Sequence, residues 1–307
     1  MAERRSTVSA AIQWATGLLA SAGVDSPRLD AELLLAHVLG CDRVHLRTRW
    51  DTPLAAEALG AYADLVQRRV KREPVAYLLG TRAFYDIELQ VTPAVLVPRP
   101  ETEHLVEEAI RWAQRQGDRS LRVIDVGTGS GAIAIVLARH LPAAHIVAVD
   151  LSATALAQAR RNAVRLGVEG RIAFVRTDLL LGLASRFDLI VANLPYVDHD
   201  ELGSLMPEVS RYEPQLALDG GLGGLEVVSR LIAALPQSLA PDGLALFELD
   251  PRQAERARVL AQQALPEARI EVILDYAGRA RVLAIERASE PTIAARCDCS
   301  VEEARCP

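Results

Sequence analysis

Residues 121–140 read LRVIDVGTGSGAIAIVLARH, and this stretch decides the fold. The apolar run 121–126 is typical of a buried parallel strand, and the residues after the turn are typical of a helix. Between them lie Gly127, Gly129 and Gly131, which have no Cβ atom and let the backbone turn sharply and approach a ligand closely. The helix behind the turn offers free N–H groups. The stretch therefore predicts a strand, a turn that can hold a ligand, and a helix.

The alternation of strand and helix continues beyond this stretch. We predict strands at 121–126, 145–149, 172–176, 187–192 and 244–249, helices at 131–140, 153–166, 223–239 and 251–264, and a loop over 194–222. Such alternation gives an α/β fold with a mostly parallel, doubly wound sheet and helices on both faces. Two late strands, at 270–275 and 281–286, are too close in sequence for a crossover and predict an antiparallel pair at one edge.

The chain ahead of this sheet has a different character. Apolar residues recur at helical spacing up to about residue 72 and predict a small helical bundle. The alternating residues that follow predict a β-hairpin linker. We therefore divide the chain into a helical substrate-recognition domain at 1–78, the linker at 79–98, the sheet domain at 99–288, and a tail at 289–307 that lacks periodicity and is expected to be disordered.

Composition narrows the classes of function. The 307 residues carry a net charge of −6, so a long basic surface for nucleic acid is not expected. The sequence has no apolar run of the roughly 20 residues that cross a bilayer and no signal core, so we expect a cytoplasmic protein that does not bind membranes. Cys297, Cys299 and Cys306 lack a fourth ligand in paired spacing, which favours free thiols over a metal site.

The glycine turn fits more than one cofactor. Gly127-x-Gly129-x-x-Ala132 also satisfies the dinucleotide pattern, and Asp150 at the end of the next strand fits an acceptor for both ribose hydroxyls of NAD or of S-adenosylmethionine. Two further carboxylates favour S-adenosylmethionine: Asp125 precedes the turn, and Asp178 follows the third strand, where an adenine amino group would lie. Asp178 is equally compatible with a helix N-cap.

A second motif indicates which group reacts with the cofactor. The predicted strand 187–192 ends at Asn193-Leu194-Pro195-Tyr196. The Asn193 oxygen and the Pro195 carbonyl can accept the two hydrogens of an amide or amino NH2, and the Tyr196 ring can pack on a flat group. We therefore predict methyl transfer from S-adenosylmethionine to a planar nitrogen, with Asn193, Pro195 and Tyr196 as catalytic residues and all four residues of the tetrapeptide, Leu194 included, in contact with the substrate.

Six segments, in order, resemble one protein family. They are Glu73–Gly80, Pro98–Glu103, Asp125–Gly131, Asn193-x-Pro195-Tyr196, Arg211–Pro214 and Ala277–Arg279. Over about residues 8–287 the chain is similar to the bacterial release-factor glutamine methyltransferases, the PrmC/HemK family. The resemblance implies a helical N-terminal domain and a hairpin linker ahead of a Rossmann-like class I methyltransferase domain. It implies methylation of the Gln side chain in the Gly-Gly-Gln loop of peptide-chain release factors, and hence a role in translation termination.

The resemblance also implies contacts at the site. Together with Asp178, the predicted contacts to S-adenosylmethionine are Gly127, Thr128, Gly129, Ser130, Gly131, Asp150, Leu179 and Asn193. Three positions depart from the family pattern. Leu194 replaces the first Pro of the usual Asn-Pro-Pro-Tyr, Leu179 stands where an aromatic residue is frequent, and Glu248-Leu249-Asp250 replaces the common Glu-Ile-Gly.

Three other functions remain open from the sequence. An adenine-amino methyltransferase would use the same tetrapeptide on a flipped base of DNA or RNA, although the acidic charge balance disfavours it. An NAD-dependent oxidoreductase would use the glycine turn and would leave the tetrapeptide unexplained. An inactive scaffold would bind S-adenosylmethionine without turnover, which Leu194 makes conceivable. For the family function we expect release factors as protein partners, no direct contact with nucleic acid, and a monomer.

Overall fold

The computed structural model describes residues 7–288, so the tail at 289–307, its predicted disorder and its three cysteines lie outside the described residues. The described chain begins with five helices, continues through a β-hairpin and ends in a seven-stranded sheet flanked by helices. Within residues 7–288, no helix combines the length and the apolar character that crossing a membrane requires.

The predicted helical bundle is confirmed. Its helices are α1 (Val8–Ser21), α2 (Pro27–Val38), α3 (Arg43–Thr48), α4 (Ala56–Val70) and α5 (Val75–Leu79). Apolar side chains at helical spacing, among them Ile12, Leu19, Leu34 and Val66, form one buried core. Tyr62 is fully buried in this core, and its hydroxyl donates to the Ala31 carbonyl at 2.9 Å. The apolar periodicity of the sequence therefore corresponds to the buried face of each helix.

The hairpin joins the bundle to the sheet. Strands β1 (Thr81–Phe84) and β2 (Ile87–Gln90) pair antiparallel, and α6 (Thr102–Arg115) follows. The backbone of Gln90 is held on both sides by one side chain, because its N–H donates to Asn162 Oδ1 at 2.8 Å and its carbonyl accepts from Asn162 Nδ2 at 2.9 Å. The predicted linker is therefore fastened to a helix of the sheet domain.

The sheet has the predicted mixed topology. Its strands are β3 (Arg122–Val126), β4 (His145–Asp150), β5 (Ile172–Arg176), β6 (Phe187–Ala192), β7 (Leu239–Glu248), β8 (Arg269–Leu274) and β9 (Ala280–Glu286). The spatial order is β5-β4-β3-β6-β7-β9-β8, with five parallel strands and β9 antiparallel to both of its neighbours. The chain leaves β3 in one direction and returns to β6 on its other side, which creates the crevice where such sheets bind ligands.

Helices cover both faces of the sheet. On one face pack α6, α7 (Ala132–His140) and α8 (Ala153–Arg165), and on the other α10 (Glu226–Ser238) and α11 (Ala254–Ala264). Helix α10 begins at Glu226, three residues later than the sequence predicts, because Gly223 and Gly224 both have a φ of +68° and cannot continue a right-handed helix. Strand β7 begins at Leu239, five residues earlier than predicted, with a register shift opposite Phe187 and Leu189.

The segment 194–222, predicted as a loop, contains helix α9 (Pro207–Tyr212). Glu208 on α9 accepts from Arg72 Nη2 at 2.6 Å and from Arg69 Nη2 at 2.8 Å, and both arginines belong to the end of the bundle. The Tyr212 hydroxyl donates to the Lys71 carbonyl at 2.9 Å. The prediction was wrong here because these long-range ion pairs, rather than local periodicity, stabilise the short helix. The segment that follows the tetrapeptide is thus anchored to the bundle.

Candidate active site

A cavity of about 230 Å³ opens at the carboxyl ends of the central strands. It lies at the switch point of the sheet, because Val126 of β3 pairs with Ala192 of β6 and the residues after both strands face the same edge. Predicted site residues that line the cavity are Gly127, Gly129, Asp150, Asp178, Leu179, Asn193, Leu194 and Pro195. The two motifs, about sixty residues apart in the sequence, therefore form one site.

The glycine turn is shaped by close packing. The N–H groups of Gly127 and Thr128 both donate to the Val149 carbonyl of β4 at 2.9 Å. Gly127 has a φ of +76°, and a Cβ atom on it would lie 3.0 Å from Leu194 Cδ2. A Cβ atom on Gly131 (φ +85°) would lie 3.2 Å from the Ala159 backbone. Both positions therefore require glycine, one against the tetrapeptide and one against helix α8.

Asp150 lines the cavity and also stabilises the glycine turn. Its Oδ2 accepts from the Gly129 N–H at 2.9 Å, and its Oδ1 accepts from the Ser152 N–H at 2.8 Å. Burial raises the pKa of the carboxyl, and the backbone N–H groups partly counter that rise. A carboxylate has about four acceptor positions, so two bonds leave lone pairs for ribose hydroxyls. The predicted position of Asp150 at the end of β4 agrees with the structure.

Asp125 lies fully buried at the end of β3, beneath the turn. Its Oδ2 accepts from the Thr128 hydroxyl at 2.7 Å and from the Ala134 N–H at 3.2 Å, while its Oδ1 is buried without a partner. Burial raises its pKa to about 7, against the effect of those two donors. Asp125 does not line the cavity, so it supports the glycine turn from below and has no direct contact with the cavity.

Three of the predicted cofactor contacts do not line the cavity: Thr128, Ser130 and Gly131. The Thr128 side chain is buried against Asp125, and the Ser130 carbonyl accepts from Asn162 Nδ2 at 2.9 Å. Gly131 is the first residue before α7 and packs against α8. The structure therefore places these residues behind the turn, where they hold its shape.

Asp178 and Leu179 lie on the opposite wall of the cavity. Asp178 is not a helix N-cap; its Oδ2 pairs with Arg230 Nη2 on α10 at 2.5 Å. Leu179 has a φ of +50°, which is uncommon for a branched residue and turns the chain where the apolar wall is built. Both residues line the cavity, and the Asp178 carboxylate is already held by an arginine.

Three residues of the tetrapeptide, Asn193, Leu194 and Pro195, line the cavity. Asn193 Nδ2 donates one of its two hydrogens to the Thr102 hydroxyl at 2.9 Å, which turns the amide nitrogen towards Thr102 and the amide oxygen away from it. Leu194 is 5% exposed and belongs to the core on the α10 face of the sheet, which makes it a packing residue as well as a cavity wall. Pro195 lines the cavity, and its carbonyl lies 2.8 Å from the position that a Cβ atom on Gly220 would occupy.

Tyr196 does not line the cavity but lies beside it. Its carbonyl accepts from Gln253 Nε2 at 2.7 Å, and Gly224 packs against the same carbonyl. Burial raises the pKa of its phenol, and so does the charge of Glu248. The position of Tyr196 is therefore set by backbone contacts from the glycine-rich segment after the tetrapeptide.

Sequence reasoning missed several residues that shape this site. Thr102 lies in the segment Pro98–Glu103, for which the sequence predicts no role at the site, and Glu248 belongs to a departure from the family pattern. The glycines that pack on Pro195 and Tyr196 belong to the segment Gly220-Gly221-Leu222-Gly223-Gly224, whose density of glycine was the available signal. Thr102 carried none, because its contact with Asn193 joins residues 91 positions apart.

The site fits S-adenosylmethionine. Gly127 and Gly129 line the cavity without side chains that would fill it, and Asp150 retains acceptors for hydroxyls. Leu151, Leu179 and Val227 supply an apolar wall for a planar ring.

Comparison with known proteins agrees with this geometry. Residues 10–80 match the family model of the PrmC N-terminal domain, and residues 108–210 match that of the methyltransferase small domain. A release factor glutamine methyltransferase of Rhodopirellula baltica is 42% identical over 286 residues, covering 92% of this chain and 97% of that protein. One of Geobacter sulfurreducens is 45% identical over 250 residues, covering 81% and 86%.

A solved structure shares the fold. The catalytic domain of human Mettl16 in complex with an RNA hairpin aligns with a TM-score of 0.54 at 17% identity, covering 75% of this chain and 83% of that one. The sheet, the cavity at its switch point and the matching methyltransferase domain define a class I methyltransferase that uses S-adenosylmethionine. The NAD alternative is therefore set aside. Within that class, the chain belongs to the release factor glutamine methyltransferase family.

Proposed function

We propose that the chain transfers a methyl group from S-adenosylmethionine to the side-chain amide nitrogen of the glutamine in the Gly-Gly-Gln loop of peptide-chain release factors. The observation that carries the proposal is the orientation of the Asn193 amide at the cavity: its Nδ2 donates one of its two hydrogens to Thr102, which leaves Oδ1 on the other side of the amide as an acceptor. An acceptor at this position suits a substrate that presents an NH2 group. Relatives with 42% and 45% identity carry the name of this activity.

The proposed roles follow from positions around the cavity. When bound, S-adenosylmethionine supplies a sulfonium-activated methyl group. Asn193 Oδ1 and the Pro195 carbonyl hold the two amide hydrogens of the substrate and direct the nitrogen lone pair into the cavity. The same acceptors stabilise the positive charge that develops on nitrogen. The proton is then free to leave after methyl transfer, so no strong base is needed before attack.

Tyr196 has a different role in this proposal. It follows Pro195 of the cavity wall, and in the proposal its ring packs on the stem of the substrate glutamine once the loop is bound. The Gln253 amide and the backbone at Gly224 keep it there. Leu194 in place of proline does not remove either acceptor, since the Asn193 oxygen and the Pro195 carbonyl are unaffected by the substitution. We therefore propose that the tetrapeptide with Leu194 is catalytically active.

The proposal assigns roles to the domains as well. The helical domain, residues 1–78, contacts the body of the release factor, the linker at 79–98 joins it to the catalytic domain, and residues 99–288 bind the cofactor and the glutamine. The anchoring of α9 to the bundle through Glu208 supports a fixed spacing between the two binding surfaces. The protein acts as a cytoplasmic monomer, without nucleic acid.

The test is methyl transfer to a folded release factor. Purified protein, S-adenosylmethionine and full-length release factor are incubated, and the intact mass of the release factor is measured. We expect the mass of one added methyl group, absent when the loop glutamine of the release factor is replaced by asparagine. Transfer to an adenine-containing oligonucleotide, with none to the release factor, would favour the adenine-amino alternative. Binding of S-adenosylmethionine without any transfer would favour the inactive scaffold.

A further inference from the structure

A buried carboxyl group lies beside the active site without any function assigned so far. Glu248 is the last residue of β7, and its side chain is almost completely buried, with a residue exposure of 1%. Neither of its oxygens has a partner in hydrogen-bond geometry within the described chain. Because Ala192 pairs with Phe247 in parallel register, Glu248 ends β7 next to Asn193 at the end of β6. A buried acid without partners is costly to the fold and calls for an explanation.

The hydroxyl of Thr102 connects Glu248 to Asn193. It accepts from Asn193 Nδ2 at 2.9 Å and is itself 96% buried, since Thr102 is 4% exposed. Burial raises the pKa of Glu248 to about 7, and the Thr102 hydroxyl, acting as a donor to the carboxyl, is the first of the groups that hold it down. Thr102 therefore lies close enough to act on the ionised carboxyl, although the two groups are not within hydrogen-bond geometry in the structure.

Charged groups of β9 and of the segment that leads into α6 act on Glu248. Arg281 of β9 and Arg99 ahead of α6 favour its ionised form, whereas Glu101 opposes it. The charge of the same carboxyl raises the pKa of the Tyr196 phenol. Arg281 is itself engaged with Asp275 at 3.4 Å, and its Nε is buried without a partner, so it does not neutralise Glu248 through a direct ion pair.

We propose that Glu248 is a positioning residue that fixes the direction of the Asn193 amide through the Thr102 hydroxyl, an inference that rests on the proposed methyl transfer to an amide. An ionised carboxylate only accepts hydrogen bonds, so a small approach of the two side chains lets Glu248 accept the single hydroxyl proton of Thr102. The Thr102 oxygen can then only accept, and Asn193 must turn its NH2 group towards it. This leaves Asn193 Oδ1, the acceptor that the substrate NH2 needs, directed at the cavity.

The donor and acceptor roles in this chain of hydrogen bonds are exchanged when Glu248 carries a proton. A neutral carboxyl can donate to the Thr102 oxygen, and the Thr102 proton is then free for Asn193 Oδ1. The Asn193 amide can rotate by half a turn, and its NH2 group would face the NH2 group of the substrate. Two donors cannot bond to each other, so the acid form of the site is inactive. Turnover should therefore rise with pH as Glu248 ionises.

The experiment measures kcat, the KM for S-adenosylmethionine and the pH profile of kcat, on a full-length release factor, for wild type and variants. Glu248→Gln keeps the shape but can donate to Thr102, and Thr102→Val removes the relay. For each we expect kcat lowered about tenfold or more with donor KM unchanged, since one directed hydrogen bond is lost. Thr102→Ser keeps the hydroxyl and should retain most of the turnover.

Two readouts separate positioning from a merely structural role. The acid limb of the kcat profile should be present in wild type and absent in Glu248→Gln. The double variant of Glu248→Gln and Thr102→Val should be no slower than Thr102→Val alone, because both changes act on one chain of bonds. Asp188→Asn is the control: it alters a buried carboxylate of the same sheet, held by Arg119 at 2.6 Å, far from the cavity, and should leave kcat and its pH profile unchanged.

The outcomes distinguish this inference from the proposed function. If the wild type methylates the release factor and Glu248→Gln matches it in kcat and pH profile, the inference is wrong and the proposed function stands. If Glu248→Gln loses turnover but keeps the acid limb, or if the two substitutions add, Glu248 acts on the fold alone and the inference is equally overturned. If the wild type does not methylate the release factor, the proposed function itself fails, and the inference fails with it.

Discussion

Gly224→Ala is the substitution with the most direct consequence for the reacting end of the site. Gly224 has a φ of +68°, and a Cβ atom on it would lie 2.2 Å from the Tyr196 carbonyl oxygen and 2.2 Å from Gln253 Nε2. Non-bonded carbon contacts are favourable at about 3.5–4.0 Å, so the backbone at Tyr196 must move by about 1 Å or more. The 2.7 Å bond from Gln253 to the same carbonyl would break as well.

A displacement of about 1 Å near the reacting atoms can cost roughly 100-fold in rate, because the substrate no longer meets the acceptors in line. We therefore predict that Gly224→Ala lowers kcat by about 100-fold, while the dissociation constant for S-adenosylmethionine changes little. The left-handed φ adds strain of about 1–2 kcal/mol, which lowers the thermal midpoint. The assay is steady-state methyl transfer to the release factor, together with calorimetric donor binding and thermal unfolding.

Two matched glycines separate strain from displacement. Gly182 has a φ of +78° but open space around it, so Gly182→Ala should lower the thermal midpoint and leave kcat unchanged. Gly203 has neither a positive φ nor a neighbour within 4 Å, so Gly203→Ala should change neither quantity. A folded Gly224→Ala protein with kcat within about threefold of wild type would refute the account of how Tyr196 is held.

Three further predictions follow from buried carboxylates. Asp150→Asn should weaken S-adenosylmethionine binding about 10- to 100-fold by calorimetry, with a smaller effect on kcat at saturation, because hydrogen bonds to a charged acceptor are lost; equal affinity would contradict its role. Glu208→Gln should destabilise the protein by about 3 kcal/mol in denaturant unfolding, since Arg72 loses its carboxylate partner and Arg69 keeps only Asp30. The exposed Glu255→Gln should be neutral, and equal effects of the two substitutions would contradict the anchoring of α9. Burial raises the pKa of Glu248 from 4.5 to about 7. The neutral carboxyl favours the folded state below pH 4.5, and this contribution to stability is lost as the pH rises through 7. Glu248→Gln should therefore raise the thermal midpoint more at pH 8 than at pH 5, and a difference that does not depend on pH would contradict this.

The fold was predictable because its signals are local. The apolar runs that end at Val126, Asp150 and Ala192 report strands buried on both faces, and the glycines of 127–131 report a turn with positive φ. The alternation of strands and helices predicts a parallel sheet, and in a parallel sheet Gly127 and Asn193 lie at the same edge. Where prediction failed, the cause was not local. Helix α9 exists because Glu208 meets two arginines about 136 to 139 positions earlier in the chain.

The site was predictable only in part for the same reason. The motif Asn193, Pro195 and Tyr196 at a strand end indicates which groups can bind a planar nitrogen. It does not indicate the orientation of the Asn193 amide, because that depends on Thr102 on helix α6. Nor does an acidic residue at the end of a strand reveal that it is buried without partners, as Glu248 is. Side chains whose roles depend on contacts across the fold require the structure.

The central claim is that Asn193 directs methyl transfer to the glutamine of a release factor. Peptide-level mass spectrometry of a release factor after incubation with S-adenosylmethionine and either wild type or Asn193→Ala tests it most directly. The account predicts a methyl group on the Gln of the Gly-Gly-Gln peptide with wild type, and at least a 100-fold lower rate with Asn193→Ala, whose donor binding is retained. A methyl group on any other residue, or equal methylation by Asn193→Ala, would contradict it.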